Sequence, residues 1–211
     1  MSDITLVVGD KATSSWSLRP WILLKMAGIP FREVNVRIQR PDSAEKIRVY
    51  SPSGRVPCLI DGEITVWDSI SICEYVAETF PDKQLWPADR RQRAIARSIS
   101  AEMHSGFGAM RAELSMNIAE RIEVVPSAAA KADIARVTAI WRTAREAVGT
   151  ASGPFLFGAF SVADAMYAPV ATRFRTYGVD LDAVSAGYRD ALLSLPPMEM
   201  WLADARNERA T

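Results

Sequence analysis

The chain has 211 residues, 49% of them apolar, and its 25 Lys and Arg balance 25 Asp and Glu. This composition excludes a disordered chain and a nucleic-acid binder that works by neutralising phosphates, and a chain of this length can bury roughly 70% of its unfolded surface without disulfide or metal staples. Cys58, Cys73 and the lone His104 have no zinc-ligand spacing, the opening Met-Ser-Asp-Ile-Thr is unlike a signal peptide, and no apolar run is long enough for a membrane span. The expectations are therefore no metal, no nucleic acid, no membrane and a cytoplasmic location.

Ile4–Val8 is a short β-branched run closed by Gly9-Asp10 and reads as a buried strand. Trp16–Ala27 has a helical apolar face with Gly28 just beyond it, and Phe31–Ile38 alternates apolar and polar as a half-solvated strand does. Strand, helix and strand at this spacing suit a βαβ unit with a parallel pair. Ser43–Tyr50 reads as a short helix. Val56–Ile60 and Glu63–Trp67 flank Asp61-Gly62, which signals a hairpin. Asp68-Ser69 then opens a helix that ends near Phe80-Pro81.

Residues 81–88 contain two prolines and no periodicity, and read as a linker. Beyond them the pattern is helical: a long stretch capped by Asp89 and running to about Arg121, then Ser127–Val148 stopped by Gly149, Ser161–Tyr177, Tyr188–Leu195, and Met198–Arg206 after Pro196-Pro197. The fold class is α/β over residues 1–80 followed by an all-α unit over 89–211.

Four local features bear on chemistry. Hydroxyls in Thr13-Ser14-Ser15-Trp16-Ser17-Leu18-Arg19 stand where a helix begins; there they cap free N–H groups or donate to an anion at the positive helix end. Arg55-Val56-Pro57 enters a strand, where a proline forfeits no ladder bond. Asp68-Ser69 is a cap pair that can also hold a carboxylate. Ser161-Val162-Ala163-Asp164 has capping-box spacing, with Asp for the usual Glu or Gln, and reads as structural.

These four features, in this order, resemble the glutathione S-transferases, and the similarity runs from about Ile4 to Tyr177. Ser14-Ser15-Trp16-Ser17-Leu18-Arg19 is similar to the zeta-class run Ser-Ser-Cys-Ser-x-Arg. Val56-Pro57 is similar to the family's Val-Pro, whose proline is cis. Asp68-Ser69 is similar to its Glu/Gln-Ser pair, and Gly158 through Asp164 with Pro169 to its C-terminal folding motif. The resemblance implies a thioredoxin-like N-terminal domain, a helical C-terminal domain and usually a homodimer. It implies glutathione as cosubstrate, held by Arg55, Val56, Pro57, Asp68 and Ser69, with Arg40 the candidate for the glycine carboxylate. Ser14 is the expected donor to the thiolate, Ser15 the alternative, and Ser17 is expected to bond back to the backbone.

The expected reaction is thiolate attack on a small apolar electrophile lying near residues 103–111. Trp86, Met103, Phe107 and Met110 are candidates for its pocket, although apolar helix residues are more often core. His104 stands in the expected cleft wall, and Cys58 is expected as a core thiol. Two other functions stay open: a non-catalytic glutathione-binding or protein-interaction member, and a zeta-type maleylacetoacetate isomerase. Trp16 in place of the zeta cysteine, and Ala109 in place of a zeta polar residue, weigh against the isomerase.

Overall fold

The computed structural model describes residues 4–149 and 152–210. Residues 1–3 and 211, the outer ends of the two expected domains, lie outside the described residues. The sheet has the strand order β2-β1-β3-β4, built from β1 (Ile4–Val8), β2 (Arg32–Asn35), β3 (Cys58–Asp61) and β4 (Ile64–Trp67). β1 pairs parallel with β2 and antiparallel with β3, and β3 pairs antiparallel with β4. With α1 (Ser15–Met26), α2 (Ser43–Arg48) and α3 (Ser69–Thr79), this is the expected thioredoxin-like order.

Alternation along β1 sets the layers, because successive side chains leave opposite faces of a strand. Ile4, Leu6 and Val8 point to the core shared with α1 and α3, whereas Val7 joins Val36, Ile47 and Cys58 on the face that α2 covers. Cys58 is thus a core thiol, as expected. The strand expected over Phe31–Ile38 is shorter at both ends. After the Val36 N–H bonds to the Val8 carbonyl, the Ile38 N–H turns to the Asp10 carboxylate and Gln39 takes a left-handed φ of 61°. The hairpin turn is Gly62-Glu63 rather than Asp61-Gly62, since Asp61 already pairs with Ile64 and Gly62 carries the positive φ of 59°.

The helical layer comprises α4 (Arg90–Ser105), α5 (Gly108–Glu113), α6 (Ala128–Val148), α7 (Val162–Thr176), α8 (Ala183–Leu193) and α9 (Pro196–Ala210). The single helix expected from Asp89 to about Arg121 breaks after Ser105. Gly106 is extended and Phe107 left-handed, with φ of 59°, so the chain restarts as α5 in a new direction. α8 begins five residues before the expected Tyr188, because Asp182 caps it by accepting from the N–H groups of Val184 and Ser185. α9 starts on Pro196 itself, a position where a missing N–H costs nothing.

One apolar core runs through both layers, from Ile4 on β1 to Ala205 on α9. α7 is its axis: every residue from Val162 to Phe174 is buried, and the helix packs on α1. The start of α1 is thereby fixed against the helical layer, and the cleft described next opens at that seam.

Candidate functional site

Ser14 is the N-cap residue of α1 and is buried, as is Ser15. The Ser14 Oγ donates to the Ser17 Oγ at 2.8 Å, which in turn accepts from the Gly9 N–H at 3.0 Å. The Ser17 hydroxyl therefore does meet backbone, but at the end of β1 rather than within its own helix. A Cβ on Gly9 would stand 3.1 Å from the Ser14 Oγ and 3.0 Å from the methyls of Ile38 and Val56. Only glycine leaves this corner open.

Trp16, in the first turn of α1, is half-buried and surrounded by positive groups. The Arg19 and Arg111 guanidiniums lie 4.3 Å and 4.2 Å from its ring centroid, and the His104 ring meets it edge-on at 5.1 Å. Trp16 borders two adjoining hollows. One, of about 590 Å³, is lined also by Arg55, Val56, Pro57, Trp67, Asp68, Ser69 and His104. The other, of about 430 Å³, is lined by Ser14, Ser15, Gln39, Arg111 and Arg173 and shares Arg55 and Val56 with the first.

The first hollow has a defined electrostatic design. The Val56–Pro57 peptide is cis. Ser69 begins α3, where the helix end favours an anion, and its buried Oγ accepts from the Arg19 Nη1 at 3.3 Å. Asp68 caps α3 by accepting from the Ile70 N–H at 3.0 Å, with a backbone φ of 73°. That left-handed conformation costs a non-glycine residue about 1–3 kcal/mol and is commonest at functional positions. The His104 Nε2 lies 3.4 Å from the Asp68 carboxylate. Burial lowers the His104 pKa, Asp68 opposes this, and the Arg19 and Arg111 charges reinforce it. Arg19, wholly buried, is pushed down to about 9 by burial and then by the charges of Arg111 and Arg173.

The structure brings Arg55, Val56, Pro57, Asp68 and Ser69 around one hollow, and Ser14 and Ser15 around its neighbour. It does not bring Arg40 to either; Arg40 lies exposed by a separate depression with Asp10, Arg37 and Glu208. Met103, Phe107 and Met110 are core rather than cleft lining, and Trp86 borders another depression with Tyr75 and Arg97. Sequence reasoning passed over Arg111 and Arg173. Their only signal is being charged on otherwise apolar helix faces, and it is the fold that brings Arg111 to Trp16 and Arg173 to the hollow beside it. Among the described residues no group of three or more His, Cys, Asp or Glu is placed to hold a metal ion, and no helix is long and apolar enough to cross a membrane.

The chain is similar to known proteins. Residues 13–79 match the family model of the glutathione S-transferase N-terminal domain, and residues 94–204 that of the C-terminal domain. A probable maleylacetoacetate isomerase of Caenorhabditis elegans is 32% identical over 98 residues, 46% of this chain and 44% of that protein. The maleylacetoacetate isomerase of Rattus norvegicus is 36% identical over 101 residues, 46% and 45% of the two chains. The chain thus spans less than half the length of these curated relatives. Among solved structures, a glutathione transferase homologue from Burkholderia gl BGR1 with bound glutathione superposes with a TM-score of 0.72. It is 24% identical over 97% of this chain and 99% of that one, a likeness of fold.

Proposed function

The chain belongs to the glutathione S-transferase family, and on that premise we propose that it is a glutathione transferase in which Ser14 stabilises the thiolate of bound glutathione for attack on a small apolar electrophile. The observation that carries this reading is the convergence of Arg55, Val56, Pro57, Asp68 and Ser69 on one hollow that meets the buried Ser14 across Trp16. Ser69 and the start of α3 receive the γ-glutamyl carboxylate, and Asp68 the amino group beside it. The cysteinyl backbone runs along Val56. Arg40, beside Gln39 in a depression that shares Thr13, Ile38 and Gln39 with the second hollow, is the candidate for the glycine carboxylate. Residues 1–80 serve as the glutathione-binding unit, 81–88 as a linker and 89–211 as the helical unit. A homodimer in the cytoplasm completes the reading, by analogy with the family.

A thiol with a pKa near 8.5 is mostly protonated at neutral pH, and each unit of depression needs about 1.4 kcal/mol. A hydrogen bond to a charged partner contributes about 1.5–3 kcal/mol, and the helix end adds to it. Ser14 then acts by turning its O–H from the Ser17 Oγ to the sulfur, a rotation about one bond. The electrophile sits beside Ser14 against Met116, which lines the second hollow from the helical side.

The relatives' names favour a second reading, isomerisation of maleylacetoacetate. Trp16 stands against it by replacing the cysteine of the zeta pattern. The test is an ultraviolet pH titration of glutathione bound to wild type and to Ser14→Ala, with calorimetric binding in parallel. The alanine variant should keep its affinity and raise the thiol pKa by about one to two units, the equivalent of one charge-assisted hydrogen bond. An unmoved titration in Ser14→Ala but a shift in Ser15→Ala transfers the role to Ser15. No shift in either rejects the serine mechanism in favour of a non-catalytic member.

A further inference from the structure

We propose that the electrophile carries an anionic group, a carboxylate on an otherwise apolar body, and that Arg111 binds it. This rests on the transferase reading above and deepens it by naming the substrate class. The basis is the distribution of charge. The hollow beside Ser14 is lined by Arg111 and Arg173, besides the Arg55 that it shares with the glutathione cradle, and by no aspartate or glutamate, in a chain whose charges balance overall. Among the described residues, neither Arg111, Arg173 nor the adjacent Arg19 has a carboxylate oxygen within 4.0 Å. Buried or half-buried cations without a counter-ion are costly, so a site built this way gains when an anion enters.

Arg173, Arg19 and Arg111 have different parts. Arg173 is buried, with its Nη1 bound to the Leu114 carbonyl at 2.7 Å, so it contributes field rather than contact. Arg19 is committed to Ser69 in the neighbouring hollow. Arg111 is half-buried, donates one bond from Nη1 to the His104 carbonyl at 3.0 Å, and lies with its Cζ 4.2 Å from the Trp16 ring centroid. The rest of its fork bonds to no described residue, which leaves it free for a carboxylate. The mutual repulsion of the cluster shows in Arg173, held down to about 10 by burial and then by the charge of Arg111.

Glutathione's own carboxylates do not account for this arrangement. On the reading above, the γ-glutamyl end belongs with Ser69, in the other hollow, and the glycyl end with the sheet-side residues Arg55 and Arg40. Arg111 on α5 and Arg173 on α7 belong to the helical layer, the side from which a second molecule reaches a sulfur at Ser14.

The test pairs two probes that differ by one carboxylate, chlorodinitrobenzene and chlorodinitrobenzoate. In each, the thiolate sulfur forms a bond to the ring carbon bearing chlorine. The carbon–chlorine bond breaks, chloride leaves with the electron pair, the thiol proton passes to solvent and the carboxylate is unchanged. Each kcat/KM is divided by the rate with free glutathione, to remove intrinsic reactivity. Wild type should favour the benzoate by about tenfold or more, as one charge-assisted contact implies. Arg111→Gln should bring that ratio close to one, and Arg111→Lys should retain part of it. A wild-type ratio of one or less overturns the proposal, as does a loss in Arg111→Gln that is equal for both probes. An equal loss accompanied by weaker glutathione binding would assign Arg111 to glutathione itself. If neither probe reacts, calorimetry of the benzoate–glutathione conjugate decides: about tenfold weaker binding to Arg111→Gln supports the site, and unchanged binding sinks it. Glutathione affinity of the wild type, measured alongside, tests the transferase reading separately.

Discussion

His104 shows how a single side chain couples the cleft to pH. Its imidazole is three-quarters buried between Trp16 and Asp68, and burial, with the charges of Arg19 and Arg111, holds its pKa below the ordinary 6.5 against the pull of Asp68. The unfolded chain therefore takes up the proton first as pH falls. The linked stability is fully present above about pH 6.5 and is lost as pH falls through the folded pKa. Calorimetric melting from pH 7.5 to 5 should show a steeper acid decline in wild type than in His104→Gln. Parallel curves would mean that the protonated imidazole is as well accommodated as the neutral one. At this scale the sequence was most legible where chemistry is local. Ser14, Val56-Pro57 and Asp68-Ser69 are pairs or runs whose meaning lies in adjacent residues. Arg19 meets Trp16 by ordinary helical spacing, but His104 and Arg111 reach the same indole from the helical layer, and no spacing rule brings them there.

At the scale of elements, the capping box of α7 is the clearest case of a sequence reading that became geometry. Asp164 has no exposed surface and accepts four bonds, from the N–H groups of Leu156 and Ser161 and the hydroxyls of Ser161 and Tyr188, at 2.9–3.0 Å. It thus ties the start of α7 to the preceding loop and to α8. Burial pushes its carboxyl up to about 6 against those four donors. Asp164→Ala strands buried donors and should cost about 3 kcal/mol or more in urea unfolding, while the protein that remains folded keeps its glutathione affinity. A cost under about 1 kcal/mol would mean that water replaces the carboxylate. The capped starts of α3, α4 and α6 at Asp68, Asp89 and Ser127 were readable in this way, whereas the Asp182 cap of α8 was passed over. The break at Gly106-Phe107 was not readable, because the apolar period of Met103, Phe107 and Met110 continues through it and masks the local signal of Gly106 and Gly108.

The whole molecule is closed by a contact between its sequence extremes. Lys11, just after β1, is buried between the rings of Trp21 and Trp201. Its Nζ lies 2.6 Å from both the Glu33 and Asp204 carboxylates, and its carbonyl accepts from the Trp201 Nε1 at 2.7 Å. Glu208 on the same helix accepts from the Lys11 N–H and from Asn35. α9 therefore braces the loop that carries Ser14. Lys11→Met keeps the apolar stem but removes the charge, and should destabilise by about 2 kcal/mol, less than for a fully buried pair because the two carboxylates stay partly hydrated. Amide exchange should rise in α9 and in residues 9–14 together. Faster exchange confined to α9 would show that the loop stands without its brace. Contacts nearly 200 residues apart leave no local pattern, which is why the helix itself was legible and its destination was not.

Trp16 also makes the cleft visible to light. Of the six tryptophans, Trp21, Trp141 and Trp201 are at most 1% exposed, and Trp86 is nearly as enclosed. Only Trp16 and Trp67 border the hollows, and Trp67 borders the larger one alone. A molecule entering beside Ser14 changes the surroundings of one indole, while glutathione in its cradle changes those of two. Intrinsic emission, read in wild type and in Trp67→Phe, would then separate the order in which the two substrates arrive without any added dye.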